Sequence, residues 1–190
     1  MELEYMPSWF STLNNHDKTT TMTFRIDENV LTKLRSQSKA SEISINTLVN
    51  QILKRFVEWD MLEPKVGMVA VAKPVVAELF GKISKEEIVN LAMRTGKDSI
   101  RDIALFMKGK LDVDSFISWL ELRMKNSSVE MSHSIAEDDT THTYVIKHDL
   151  GENWSLYNKT ILELIFNDVL GKRVDITRMS NTILIFKFQY

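Results

Sequence analysis

The feature that most constrains the fold is a short alternating stretch near the start of the chain, TTTMTFRID at residues 19–27. In a strand, its apolar side chains would share one face: Met22, Phe24 and Ile26. Its polar side chains would share the other face: Thr21, Thr23 and Arg25. Because no other segment before residue 66 alternates in this way, and a strand cannot stand unpaired, we expect it to pair antiparallel with its own copy in a two-fold dimer.

Two helices are predicted directly after this strand. Asp27 is a suitable N-cap for a helix over residues 28–39, and Ser44 for a second helix that ends near residue 62. The apolar stripe of the second helix is unusually wide, and its members are Ile45, Leu48, Val49, Ile52, Leu53, Phe56 and Val57. One short neighbouring helix cannot cover such a stripe, so this pattern also predicts a second copy.

The alternating strand ending in Arg25-Ile26-Asp27, the first helix with Leu34, and the stretch ISINTLVNQIL resemble the ribbon–helix–helix DNA-binding family. This is the fold of the small phage, methionine-regulon and plasmid copy-number repressors. The resemblance covers residues 20–58 and implies an intertwined homodimer. The core residues that it implies are Met22, Phe24, Ile26, Leu34, Leu48 and Ile52. The turn over residues 39–43 departs from the pattern, because it lacks the glycine that many members have.

The resemblance also implies how DNA would be read. The family inserts its two-stranded ribbon into the major groove, which assigns base contacts here to Thr21, Thr23 and Arg25. Arginine can donate two hydrogen bonds to guanine, and threonine offers a hydroxyl group and a methyl group. The family holds the phosphate backbone at the start of its second helix, where free amides suit a phosphate oxygen. The corresponding residues are Ser44, Ile45, Asn46 and Thr47.

Simpler interpretations stand beside these. The alternating segment could be an ordinary edge strand, and Ser44 acts as an N-cap whether or not it also meets phosphate. The net charge of −2 does not predict a polyelectrolyte-binding chain, although residues 18–55 hold seven bases and three acids. Three of those bases, Lys33, Arg35 and Lys39, could be no more than a solvated helix face.

The whole chain is predicted to be an α+β protein in three parts. Residues 1–18 form an arm with Trp9 and Phe10 as anchors, and residues 19–64 form the ribbon–helix–helix domain. Residues 67–190 form a C-terminal domain of about four helices followed by a ββαββ unit.

Capping residues and turns set the expected element boundaries in the C-terminal domain. Pro74 suits a first helical turn, and Ser84 with Glu87 has the spacing of a capping box. Three further boundaries are expected at Gly96 as a helix stop and at Asp98 and Asp112 as N-caps. In the ββαββ unit, two hairpins flank one helix, and the expected ranges are 129–135 with 142–149, 154–170 after an Asn153 cap, and 173–178 with 182–188.

No catalytic pattern is evident. The absence of cysteine excludes disulfides, thiolate catalysis and Cys-ligated zinc, and there is no phosphate loop or nucleophile motif. His133, His142 and His148 are interpreted as structural, because the last two lie too far apart along one strand to share an ion. The acidic turn at residues 137–139 is expected to be solvated. We therefore predict no enzyme, no cofactor and no metal site.

The leading functional hypothesis is a sequence-specific transcription regulator that binds double-stranded DNA as a homodimer or a higher even-numbered oligomer. Its C-terminal domain would bind an effector, a protein partner or further copies of itself. Two alternatives remain: an antitoxin that regulates its own operon while the C-terminal domain binds a toxin, and a dimerisation module that does not bind DNA. Neither a membrane-spanning run nor a signal peptide is evident, so the cytoplasm is the expected location.

Overall fold

The computed structural model describes residues 19–137 and 140–190. The chain divides into two compact units, Met1–Gly67 and Met68–Tyr190. Gly67 has a φ of +72°, which a glycine adopts without strain, and it ends a 3-10 helix at Glu63–Val66. The predicted N-terminal arm lies outside the described residues.

Both predicted helices of the first unit are present. Helix α1, Glu28–Ala40, begins after Asp27, whose carboxylate accepts hydrogen bonds from the amides of Asn29 and Val30. Helix α2, Ile45–Arg55, begins after Ser44 and continues through a π-turn at Phe56–Asp60. The N-cap predictions at Asp27 and Ser44 are therefore confirmed.

The turn between α1 and α2 ends α1 in a conformation that usually has a glycine, although this turn contains none. The amide of Glu42 donates to the carbonyl of Lys39 at 3.1 Å, and the amide of Ile43 donates to that of Ser38 at 3.0 Å. These are the two hydrogen bonds of a Schellman motif, in which the first residue after the C-cap adopts a left-handed backbone conformation. Glu42 occupies that position with a φ of +54°.

Residues 19–27 are not in a strand in this single chain. A strand is defined by hydrogen bonds to a neighbouring strand, and every strand among the described residues belongs to the second unit. The predicted ribbon at residues 19–27 therefore stays a prediction, since its expected partner is a second chain.

The second unit begins with helices α3, Lys73–Gly81, and α4, Lys85–Thr95. Pro74 lies in the first turn of α3, and the capping box of Ser84 and Glu87 is complete, as predicted. A third predicted boundary, the N-cap at Asp112, is also confirmed, because its carboxylate accepts from the amide of Ser115 at 2.9 Å.

The expected helix break at residues 96–98 is wrong. A π-turn at Gly96–Ile100 joins α4 to α5, Arg101–Lys108, without interruption, so Gly96 does not stop the helix and Asp98 is not an N-cap. Gly96 has a helical φ of −65°. Its lack of a side chain serves a close helix contact rather than a chain reversal.

A four-stranded antiparallel sheet follows α6, Val113–Asn126. Its strands are β1 (Glu130–Ile135), β2 (Thr141–Lys147), β3 (Val174–Met179) and β4 (Ile183–Gln189), in the spatial order β1-β2-β4-β3. Helix α7, Glu152–Leu164, with a π-turn at Ile165–Val169, connects the two hairpins. The predicted α+β class and the ββαββ order are confirmed.

Helices α6 and α7 cover one face of this sheet. Phe166, which follows α7, contacts Phe116 of α6 and Phe186 of β4. All three rings are fully buried, and they form the centre of the core of the second unit. No helix of the described residues is long and apolar enough to cross a membrane.

The start of α7 differs from the prediction. The sequence predicts Asn153 as the cap of this helix, but α7 already begins at Glu152 after Gly151. The side-chain amide of Asn153 instead donates to the carbonyls of Phe80 and Ile83, at 2.9 and 2.8 Å. It therefore ties α7 to the turn between α3 and α4, because those carbonyls lie beside it in the folded unit.

Candidate nucleic-acid interface

The first unit leaves large apolar side chains in water. Met22, Phe24 and Ile26 are 70%, 53% and 42% exposed. Of the other predicted dimer-core residues, Ile52 is exposed, while Leu34 and Leu48 are half-buried. The single chain therefore does not cover the set of residues that the sequence predicts to be a core.

Helix α2 also leaves apolar side chains exposed to water. It has no buried residue, although its apolar positions form a pronounced stripe. Leu53 and Phe56 are about half exposed, as is Val30 on α1. Monomeric proteins rarely leave large contiguous apolar patches in water, and such patches mark interaction sites. The exposed side chains on residues 22–26, α1 and α2 are what a partner would cover.

The predicted base-reading residues are accessible. Thr21, Thr23 and Arg25 are all exposed. Within the part of the chain that the structure describes, the guanidinium group of Arg25 makes no ion pair and no hydrogen bond. Its five N–H donors are therefore available to a ligand.

The start of α2 combines a cap with unused amides. The Oγ atom of Ser44 accepts from the amide of Thr47 at 3.0 Å and lies 2.8 Å from the Oγ1 atom of Thr47. The amides of Ile45 and Asn46 have no acceptor among the described residues, as expected for a first helical turn. Two N–H groups at the positive end of the helix dipole can therefore bind an anionic oxygen.

The structure brings together some of the predicted site residues. Ser44 and Thr47 are joined by hydrogen bonds, and the side-chain amide of Asn50 anchors the carbonyl of Asn46 at 2.8 Å. No hydrogen bond among the described residues joins this group to Thr21, Thr23 or Arg25.

The bases of this region are of two kinds. Lys54 lies 3.7 Å from Glu58, and Arg55 lies 3.3 Å from Asp60, so their charges are locally balanced. The exposed bases of α1, by contrast, make no ion pair with any described residue: Lys33, Arg35 and Lys39. Lys54 and Glu58 have the ordinary i,i+4 spacing of a helical ion pair. Arg55 and Asp60 are five residues apart and meet across the π-turn.

The buried histidine of the second unit is part of a structural hydrogen-bond chain. The amide of Leu150 donates to the Nδ1 atom of His148, which places the ring proton on Nε2. That proton is donated to the Oγ atom of Ser155, at 2.7 Å, and Ser155 donates in turn to the carbonyl of Ser180. Burial lowers the pKa of His148. Since the serine proton points to a carbonyl, this pair is not arranged as a nucleophile and its base.

The other two histidines contact each other across the first hairpin. The Nε2 atom of His133 lies 2.9 Å from the Nδ1 atom of His142, and burial is the main cause of a lowered pKa at His133. No group of three or more His, Cys, Asp or Glu side chains among the described residues is placed to hold a metal ion. Asp138 and Asp139 of the predicted acidic turn lie outside the described residues.

Comparison with known proteins finds no match to this chain among protein-family models, curated proteins or solved structures.

Proposed function

We propose that this chain is a cytoplasmic, sequence-specific DNA-binding transcription regulator that acts as a homodimer through its first unit. The observation that carries the proposal is the exposure of Met22, Phe24 and Ile26 on an alternating, unpaired segment. This segment leads directly into two capped helices whose apolar stripe is also uncovered.

A second copy of the chain would pair the backbone of residues 21–26 and would also cover the exposed apolar side chains of the first unit. Antiparallel pairing of two copies of residues 21–26 would give each backbone its missing hydrogen bonds. The same arrangement would turn Met22, Phe24 and Ile26 toward the paired helices. Burying a Phe or Met side chain contributes about 1.5–3 kcal/mol, so the six inward side chains of such a ribbon could offset the cost of association.

The outer face of this ribbon would then present Thr21, Thr23 and Arg25 from both chains. A two-stranded ribbon fits the major groove of B-form DNA, where each base pair has its own pattern of donors and acceptors. Arg25 suits a guanine, and the amides of Ile45 and Asn46 suit a flanking phosphate. The exposure of Arg25 favours DNA reading over a module that only dimerises.

Selection of bound sequences from random duplex DNA with the full chain tests this function. We expect an enriched site with two-fold symmetry, because the ribbon is built from two identical strands. We also expect affinity to fall steeply with salt, since phosphate neutralisation releases counterions. Failure to enrich any sequence, or an affinity that does not change with salt, would contradict the proposal.

A further inference from the structure

A basic cleft lies on the open face of the sheet, and all of its lining residues belong to the second unit. Phe186 and Phe188 of β4 point into the core, so the alternating residues Lys187 and Gln189 point to the opposite face. There they border a cleft of about 440 Å³, which we call the basic cleft. Its lining residues with polar side chains are Thr141, Lys172, Arg173, Asp175, Lys187, Gln189 and Tyr190.

The sheet register assembles this cleft from three separate segments. Lys187 of β4 pairs with Asp175 of β3, and Gln189 pairs with Thr141 of β2. Lys172 and Arg173 come from the connection that enters β3. The bases therefore converge through folding, since residues 172 and 187 are distant in the sequence.

The charges of the basic cleft are not balanced. The ammonium group of Lys187 lies 3.4 Å from the carboxylate of Asp175, and both side chains are about half exposed. Lys172 and Arg173 are exposed and make no ion pair with any residue that the structure describes. Among the side chains of the described residues that line the basic cleft, three bases and one acid leave two net positive charges.

We propose that the basic cleft binds the phosphate group of a small phosphorylated ligand. A phosphate monoester carries about −1.5 to −2 charges at pH 7 and three acceptor oxygens, which matches the surplus of two positive charges. Arg173 can hold two of those oxygens with its fork of N–H groups, while Lys172 and Lys187 act as point charges. The volume of the cleft lies in the usual range for small-molecule sites, so there is room beyond the phosphate itself.

Calorimetric titration of the full chain with inorganic phosphate tests the site. At about 0.1 M ionic strength, where charges farther apart than roughly 10 Å are screened, we expect saturable binding at one site per chain. Arg173→Gln should weaken this binding about tenfold or more, because a hydrogen bond to a charged group is lost. Lys172→Gln, a second exposed position, should also weaken it.

Lys97→Gln is the matched control, because it removes one positive charge from an exposed residue in the π-turn between α4 and α5. We expect it to leave phosphate affinity within about twofold. The absence of saturable binding to the wild type, or an equal loss in the Lys97 and Arg173 variants, would overturn the proposal. Unchanged thermal unfolding of the variants would establish that their folding is intact.

Two further titrations define the ligand class. Acetate should bind more weakly than phosphate, since a single carboxylate cannot use all three bases, and equal affinities would overturn the phosphate assignment.

Arg173→Gln should leave the affinity for duplex DNA within about twofold. If DNA affinity fell as much as affinity for inorganic phosphate, the cleft would bind backbone phosphate and the small-ligand proposal would be wrong. The titrations with inorganic phosphate and with acetate do not depend on Arg25 or on DNA binding.

Discussion

A Cβ atom on Gly96 would lie 2.7 Å from the Cδ1 atom of Ile161, closer than side-chain atoms pack in proteins. Ile161 is 2% exposed and belongs to α7, so its side chain has little room to move. Gly96 therefore lets the α4–α5 helical run approach α7 closely. This contact explains why a glycine stands in the middle of a continuous helical segment.

Gly96→Ala should reduce the free energy of unfolding. Overpacking a filled core costs about 1–3 kcal/mol, and the better helix propensity of alanine offsets about 1 kcal/mol of it. We expect a net loss of about 1 kcal/mol in urea unfolding. Gly81→Ala is the control, because nothing lies within 4 Å of a Cβ atom there, and it should have no destabilising effect. Equal effects at the two glycines would contradict the close-contact explanation.

Glu42→Gly should stabilise the first unit. Glu42 holds a left-handed φ of +54° between the two hydrogen bonds that end α1. A side chain in that region costs about 1 kcal/mol relative to glycine, and we expect a gain of that size in chemical unfolding. Glu42→Ala removes the same charge but keeps the Cβ atom, so it should bring no comparable gain. Similar gains from both variants would show that charge, rather than backbone strain, is relieved.

The second unit should lose stability as the pH falls through the range in which histidine titrates. Burial lowers the pKa of His148 below its ordinary value of about 6.5, so the folded chain resists a proton that the unfolded chain accepts. Stability is therefore full above that value and declines below it. Protonation would also place a hydrogen on Nδ1, against the amide of Leu150.

Urea unfolding between about pH 7.5 and pH 5.5, where carboxylates stay ionised, measures this decline. His148→Gln should reduce the pH dependence. The pKa of His133 is also lowered, so His133 contributes to the pH dependence in the same direction. His133→Gln should therefore remove only the contribution of His133 and leave the contribution of His148. A pH dependence unchanged by His148→Gln would contradict the assignment.

Phe24→Ser should weaken the proposed dimer. Each chain would lose the burial of one Phe side chain, and two such losses amount to roughly 3–6 kcal/mol per dimer. Analytical ultracentrifugation should find the wild type as a dimer and the variant shifted toward monomer. Val75→Ser, at a similarly exposed apolar residue of α3, should leave the dimer intact. A wild type that is monomeric at micromolar concentration would contradict the proposed homodimer.

Local signals in the sequence predicted local structure. Asp27, Ser44 and Asp112 were recognisable as caps because each bonds to amides two or three residues away. Gly96 and Asn153 were assigned wrongly because their roles depend on partners that are distant in the chain. Sequence position alone does not distinguish a glycine that ends a helix from one that allows a close approach.

The candidate sites were predictable to different degrees. The base-reading set could be proposed because Thr21, Thr23 and Arg25 alternate within one segment. The basic cleft could not, since Arg173 and Lys187 meet only through the register of β3 and β4. The proposed ribbon would need two chains, so its structure stays a prediction for a single chain.

The most direct test of the proposed function compares the affinity of the Arg25→Ala variant for the selected site and for a site with the contacted base pair changed. One bidentate contact discriminates between bases by about 1–3 kcal/mol, so the variant should lose roughly tenfold or more of its preference per contacted base. It should keep its fold and its dimeric state. Lys33→Ala, which removes an exposed base from α1, should leave the preference unchanged. An Arg25→Ala variant with the full preference of the wild type would contradict the assignment of Arg25 as a base-reading residue.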